Sequence, residues 1–455
     1  MLSNRTLSVE SPAIPVFAGI PALQPVRLSG QEGLNSLFEY ELLLKTPDAL
    51  NLGASGAADF NLDDFIGREI SCSIQLDGMG EFLPGVVGAS TDHIGAGVRQ
   101  INALIADAAF WGEEGRHIQY RLTLRPWLHL ATLATDCKIF QNKSVIDILD
   151  ELLGDYPFAV DKRLIETYPQ RDYQTQYNES DFAFFERLCQ EWGISYFFEH
   201  SEGKHRLVLI DIMGAYRENP SEAYRQVEYH APGWKPDAEY LHSFVPRNRL
   251  TSGRYTTRDY DYTRPRADLT QTRSDPRLTG QAEGEVYQWH AGTAGSHYAQ
   301  PKAGTGDAND PREEGRFLSL LRMQALRTHG ARAKASGNLR GMTPGCTFRL
   351  ARHPRQQANA EYLNLLAKLD ITVGANRITL NAEEEVLING GTSYTRWNSS
   401  GIESGTRGRW IEHAADHGSP GPKSMPVPDP KFPSVLCKEC LLRALKAGQA
   451  LALER

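Results

Sequence analysis

The sequence predicts a mainly β chain with interspersed helices, an α+β architecture. Short segments alternate apolar and polar residues, glycine-rich turn signals separate them, and only a few stretches carry the period of an amphipathic helix. Residues 1 to about 130 read as strands. Phe38-Glu39-Tyr40-Glu41-Leu42-Leu43-Leu44 alternates before turning apolar. Ile70-Ser71-Cys72-Ser73-Ile74-Gln75-Leu76 alternates throughout, and Asp77-Gly78 follows as a hairpin signal. Tyr120-Arg121-Leu122-Thr123-Leu124-Arg125 repeats the pattern and stops at Pro126. Short strands with glycine-rich connections favour a barrel or sandwich over a parallel sheet.

Helices then interrupt. Ser144 caps a helix whose apolar face is Val145, Ile146, Ile148, Leu149, Leu152 and Leu153, with Gly154 closing it. Asp147 and Asp150 place negative charge near its positive end. A second helix starts at Ser180, with Phe182, Phe185, Leu188, Cys189 and Trp192 on one face and Gly193 as terminator. This aromatic stripe reads as core packing rather than a cofactor pocket. Ile194 to Phe198 is a strand, and residues 205–295 return to strand-like runs. The stretch 299–312, with Pro301, Gly304, Gly306 and Pro311, reads as a loop. Phe317, Leu318, Leu320, Leu321, Ala325 and Leu326 then form an amphipathic helix ending near Gly330, and Leu339 to Leu350 is turn and strand.

Between Arg377 and Gly408, Ile378, Leu380, Val386 and Ile388 alternate with polar residues, while Asn389-Gly390-Gly391 and Ser399-Ser400-Gly401 supply turns. Three such strands are too few to close a core of their own. Residues 418–435 contain six prolines and read as an extended linker. Beyond it, Leu436 to Ala447 suits a helix too short to be stable alone. It should dock, and Leu436, Cys437, Cys440, Leu441 and Leu445 are the candidate docking residues.

A chain of 455 residues is long enough for several domains. Its net charge of −7 argues against a nucleic-acid-binding surface. The N-terminus has no basic stretch followed by an apolar one, so no secretory signal is expected, and no segment is apolar enough to span a membrane. Cys72, Cys137, Cys189 and Cys346 are isolated and read as buried thiols of a cytosol-made protein.

No catalytic signature stands in the chain: no G-x-S-x-G, P-loop or G-x-G-x-x-G. His413 and His417 have zinc-like helical spacing, but the flanking Trp410-Ile411-Glu412 reads as strand and Gly418-Ser419-Pro420 as a breaker. Cys437 and Cys440 form a lone C-x-x-C, half of a zinc set. No cofactor, metal site or catalytic residue is expected, and the chain reads as a non-enzyme.

Three stretches together resemble the VgrG spike proteins of type VI secretion systems. The first is Pro126-Trp127-Leu128-His129-Leu130, followed by Asp136-Cys137-Lys138-Ile139-Phe140-Gln141 and Ser144-Val145-Ile146-Asp147-Ile148-Leu149. The second is Tyr177-Asn178-Glu179-Ser180-Asp181-Phe182, continuing through Trp192-Gly193-Ile194 to His200. The third is Gly337 to Cys346 with the later His353-Pro354. The resemblance spans about residues 10 to 370, and the Cys437-Lys438-Glu439-Cys440-Leu441 tail also resembles segments of this family.

The resemblance implies a phage-tail-hub-like double β-barrel in residues 1–370, short β-prism strands in 371–418, a Pro-rich linker in 419–435 and a helical tail in 436–455. It implies a homotrimer that caps a hexameric Hcp tube. A PAAR-type tip protein, an effector or an effector adaptor would be the other partners, with transient contact to a target-cell membrane and no nucleic acid. Assembly is expected in the bacterial cytoplasm, with secretion by the type VI system. Ile378, Leu380, Val386 and Ile388 are the candidate trimer core, because three chains can pool strands that one chain cannot bury.

One departure stands out. Family members carry an oligonucleotide/oligosaccharide-fold barrel after the hub, whereas here Tyr362 to Asp370 still resembles hub and Ile378-Thr379-Leu380 already resembles prism. The chain is either a naturally shortened member or an internally deleted form. The alternative readings are a spike with a C-terminal toxin domain, for which 37 residues beyond 418 leave little room, and a degenerate or prophage tail hub that assembles without delivering cargo.

Overall fold

The structure, a computed structural model, describes residues 7–17, 19–48, 59–76, 97–231, 239–290, 298–299, 311–372, 385–390, 393–398 and 401–406. It divides into two units, residues 1–381 and 382–455. Among the described residues no helix is long and apolar enough to cross a membrane.

The first unit is organised by a seven-stranded antiparallel sheet. Its strands run in the order Leu7–Glu10, Glu69–Leu76, Gly97–Glu114, His117–Arg125, Glu39–Lys45, Gln24–Gly33 and Leu366–Thr372. The long strand Gly97–Glu114 changes partner along its length. Residues 97–104 pair with Glu69–Leu76 and residues 104–114 with His117–Arg125, with register shifts at Ile105/Asp107 and Phe110/Gly112. Bulges of this kind bend a strand and raise its twist, so the sheet rolls into a half-barrel. Alternation then decides burial: Tyr40, Leu42, Leu44, Tyr120, Leu122 and Leu124 are all buried. Gly30 is required by the close approach of the neighbouring strand, since a Cβ there would lie 2.2 Å from the Glu39 carbonyl oxygen.

Helix α1 (Val145–Gly154) begins with a full capping box. The Ser144 hydroxyl accepts the Asp147 N–H, and the Asp147 carboxylate accepts the Ser144 N–H. Gly154 is its last residue rather than its stop, and Asp155 is the C-cap. Helix α2 (Asp181–Trp192) is capped by Ser180 and ends at Gly193, whose φ of 72° is the left-handed closure that glycine adopts at least cost. The expected stripe needs one correction. Phe184 is buried and Phe182 only half-buried, because α2 packs against α1 and also against the ribbon of Thr135–Lys143 and Arg171–Ser180, where Phe140 stacks on Phe184 at 5.5 Å. A three-stranded sheet, Val160–Arg163, Lys204–Ile210 and Ser195–Ser201, completes this region.

Between residues 217 and 363 the described strands form smaller sheets. Cys346–Ala351 pairs with Arg217–Glu218, Gln226–Glu228 and Glu361–Leu363; Leu241–Asn248 pairs with Ala331–Gly337; and Arg254–Arg258 lies between Gln271–Ser274 and Glu285–Trp289. Helix α3 (Pro311–Thr328) packs on the last of these. It starts inside the stretch expected to be loop, because Pro311 occupies the first helical turn, where a missing N–H costs nothing. Leu318 is buried as expected, but Ala325 is exposed, and Ser319 and Met323 join Leu318 in the buried line. The thiols also need correction. Cys72 and Cys189 are buried, Cys346 is intermediate, and Cys137 is exposed on the open face of its ribbon.

Candidate functional site

Two sealed charged networks hold the first unit together. In one, the Glu32 carboxylate pairs with Arg99, whose Nη1 donates to the Arg340 carbonyl at 2.7 Å. His200 accepts the Asn102 N–H on Nδ1 at 3.0 Å, which leaves its Nε2 proton facing Glu32 Oε2 at 3.5 Å. Burial pushes the Glu32 carboxyl up, but Arg99 and then His200 outweigh it, and the group is held below the usual carboxylate range. Next to it, His205 Nε2 accepts the Trp127 N–H at 2.8 Å. Burial, reinforced by His200, pulls this imidazole down to about 3.

In the second network, Arg171 donates to Glu191 Oε1 at 2.8 Å, to Glu314 Oε1 at 2.9 Å through Nε and to Gln174 at 3.2 Å, and its guanidinium lies 4.7 Å over the Trp192 ring. Here burial wins over the Arg171 charge, and the Glu314 carboxyl is raised. Both networks join elements far apart in sequence and are closed to solvent, so they position strands and helices rather than offer reacting atoms. Among the described residues no group of three or more His, Cys, Asp or Glu could hold a metal ion.

The second unit contributes a separate three-stranded sheet. Strands Glu385–Gly390, Ser393–Asn398 and Gly401–Thr406 form an antiparallel meander joined by two-residue connections. Val386 pairs with Trp397 and Trp397 with Ile402, so these positions form one cross-strand row; Ile388 pairs with Thr395, and Thr395 with Ser404. Among the described residues the outer strands pair only with the central one, which leaves two open edges of backbone donors and acceptors. Sequence alternation singled out Val386 and Ile388 as candidates, and the register adds Trp397 and Ile402 at the positions opposite Val386. Ile378, Leu380, Leu436, Cys437, Cys440, Leu441 and Leu445 lie outside the described residues, as do Asp77-Gly78, His413, His417 and the Pro-rich span.

The chain matches the phage tail baseplate hub (GPD) family over residues 31–374 and a second family, described as an uncharacterised protein conserved in bacteria (DUF2345), over residues 353–423. The second match begins before the first ends. A type VI secretion system spike protein, VgrG1b of Pseudomonas aeruginosa, is 30% identical over 363 residues, covering 79% of this chain and 42% of that protein. The actin cross-linking toxin VgrG1 of Vibrio cholerae is 29% identical over 253 residues, covering 54% of this chain and 21% of that protein. The chain thus spans less than half the length of these relatives. Among solved structures, the Escherichia coli c3393 protein, described as a type VI secretion component similar to phage T4 tail proteins gp27 and gp5, aligns with TM-score 0.48 at 13% identity, covering 86% of this chain and 88% of that one.

Proposed function

The chain belongs to the phage tail baseplate hub (GPD) family, and from that membership we propose that it is a structural hub and spike component of a type VI secretion system. In this reading three copies cap an Hcp tube, carry an effector, an effector adaptor or a PAAR-type tip protein, and take part in puncturing a target membrane. The chain performs no catalysis of its own and leaves the cell with the machine. The observation that carries the reading is the hub match across residues 31–374, with a meander later in the chain that aligns Val386, Trp397 and Ile402 across its strands and whose outer strands, among the described residues, pair only with the central one. Three copies can pair those edges and pool the row on a common axis, which one copy cannot do. Residues 378 to 388 supply the trimer core, and residues 419–455 tether the partner. The overlap of the two family matches at 353–374 supports a spike without an intervening barrel.

Native mass spectrometry of the full chain tests this. A trimer of about 152 kDa, three times the 50.7 kDa chain, is expected, and Val386→Asp with Ile388→Asp should shift it toward monomer, since two carboxylates per chain would be buried without partners. A wild-type chain that stays monomeric at micromolar concentration overturns the reading.

A further inference from the structure

Charge is segregated along the chain. Residues 1–240 carry 35 acidic and 19 basic side chains, residues 241–355 carry 10 and 19, and residues 356–455 balance at 11 and 11. The net −7 therefore hides an acidic part at −16 and a basic part at +9.

Within the basic part, the ribbon of Leu241–Asn248 and Ala331–Gly337 sets Arg247 directly opposite Arg332 and Val245 opposite Lys334. All four are exposed. Like charges directly opposite destabilise a ribbon, and within the described residues no ion pair involves Arg247, Arg332 or Lys334. The face is an apolar side chain, 56% exposed, ringed by three cations with no carboxylate of their own. In the acidic part, an open groove of about 460 Å³ runs beside the outer strand Leu7–Glu10. Val9, Ile14, Val16 and Ile70 make it apolar, and the exposed Glu10 and Glu69 line it without an ion pair among the described residues.

We propose that the Arg247–Arg332 ribbon of one copy docks into the Glu10–Glu69 groove of the next. This rests on the trimeric reading above and specifies its contact. Val245 fills the apolar groove, and the cations meet the two carboxylates, which removes the like-charge penalty that each copy bears alone. A head-to-tail contact of this kind uses two different surfaces per copy and closes into a ring when the rotation permits. The opposed charges fix register and speed encounter. A polyanionic partner would also meet the three cations, but it would be repelled by the −16 of the acidic part and would leave the groove unused.

The test uses the full chain and four proteins: wild type, Arg247→Glu/Arg332→Glu, Glu10→Arg/Glu69→Arg, and the combination of all four reversals. Light scattering over a concentration series, at 50 and 500 mM NaCl, should show weaker trimer at about the higher salt, where the Debye length has shrunk to a few ångströms. Each double reversal should raise the half-assembly concentration at least about tenfold, and the combined variant should recover most of that loss. Recovery separates direct pairing from misfolding, because two damaged folds do not repair one another. A trimer indifferent to the ribbon reversal, or a loss that the combined variant fails to recover, overturns the docking and leaves the trimeric reading standing. A monomer under every condition overturns both.

Discussion

The first 240 residues and the stretch from 241 to 355 are stabilised in different ways. The first part builds a large continuous core around Trp127, Tyr40, Phe38, Phe184 and Phe185, in which Trp127 stacks on Phe158 at 5.2 Å. The second part has a small core, Leu241, Phe244, Phe348 and Leu350 packed with Val227 and Ala358 from either side of it in sequence, and its helix α3 is tied to the first part through Arg171 and Glu314. Apolar burial scales with the area removed from water and does not depend on any single contact. A buried ion pair concentrates the dependence on one geometry. The region with the thinner core should therefore be the one that a single charge change can loosen.

The largest expected effect breaks that tie. Arg171→Met leaves Glu191 and Glu314 buried without their cation, and removing one partner of such a pair costs about 3–5 kcal/mol. Urea denaturation should register the loss, and hydrogen exchange should place it first in α3 and the strands it covers. The loss should shrink as pH falls, because the stranded carboxylates neutralise by taking up protons. Replacing the triad together, with Arg171→Met, Glu191→Gln and Glu314→Gln, should recover much of the stability. If the single change is as mild as the triple one, the tie does not carry the second part.

The next effect belongs to the first part and is set by pH. His205 sits among Phe38, Phe198 and His200 and accepts the Trp127 N–H. Its folded-state pKa is depressed to about 3 from an ordinary 6.5, so the folded protein holds it neutral while the unfolded chain takes up a proton. Its contribution is complete above pH 6.5 and is lost as pH falls from 6.5 toward about 3. At pH 5 that amounts to on the order of 2 kcal/mol. His205→Gln keeps an acceptor for Trp127 and removes the titration. Stability curves between pH 5 and 7 should flatten in this variant, and an unchanged slope would assign the pH dependence to other groups.

These two cases mark what the sequence could disclose. Local chemistry is legible in it. Ser144 with Asp147, and Ser180 with Gly193, define α1 and α2 from neighbouring residues alone. Choices that depend on a second element are not. Phe184 rather than Phe182 is buried because α2 is packed on more than one side, and Cys137 is exposed because a two-stranded ribbon keeps an open face. Pro311 reads as a breaker in isolation and as a helix start only once α3 follows it. The sheet order is less legible still, since Leu366–Thr372 pairs with Gln24–Gly33 from the far end of the hub. The same limit applies to the candidate site. Alternation singles out Val386 and Ile388 as candidates, but only register sets Trp397 and Ile402 in the row of Val386 and leaves Ile388 opposite Thr395.

The smallest expected effect sets an exposed pair against the buried one. Arg27 on Gln24–Gly33 forks onto Asp370 of Leu366–Thr372, with Nε donating to Oδ1 at 2.8 Å, and the two side chains are 50% and 56% exposed. The Asp370 hydrogen bond, and then its charge, raises the Arg27 pKa. In water that attraction is screened and offset by the cost of fixing two long side chains, so such pairs are worth about 0.2–1 kcal/mol. Asp370→Ala should cost no more than that, and the cost should vanish near molar salt. The chemical groups match those of the Arg171 network, so the comparison isolates burial as the variable. Seven backbone register positions join Leu366–Thr372 to Gln24–Gly33, and they, rather than the ion pair, should hold this closing strand. Amide exchange along Leu366–Thr372 that rises strongly in Asp370→Ala would mean that the sheet edge depends on its salt bridge after all, and the contrast between exposed and buried ties would fail at that edge.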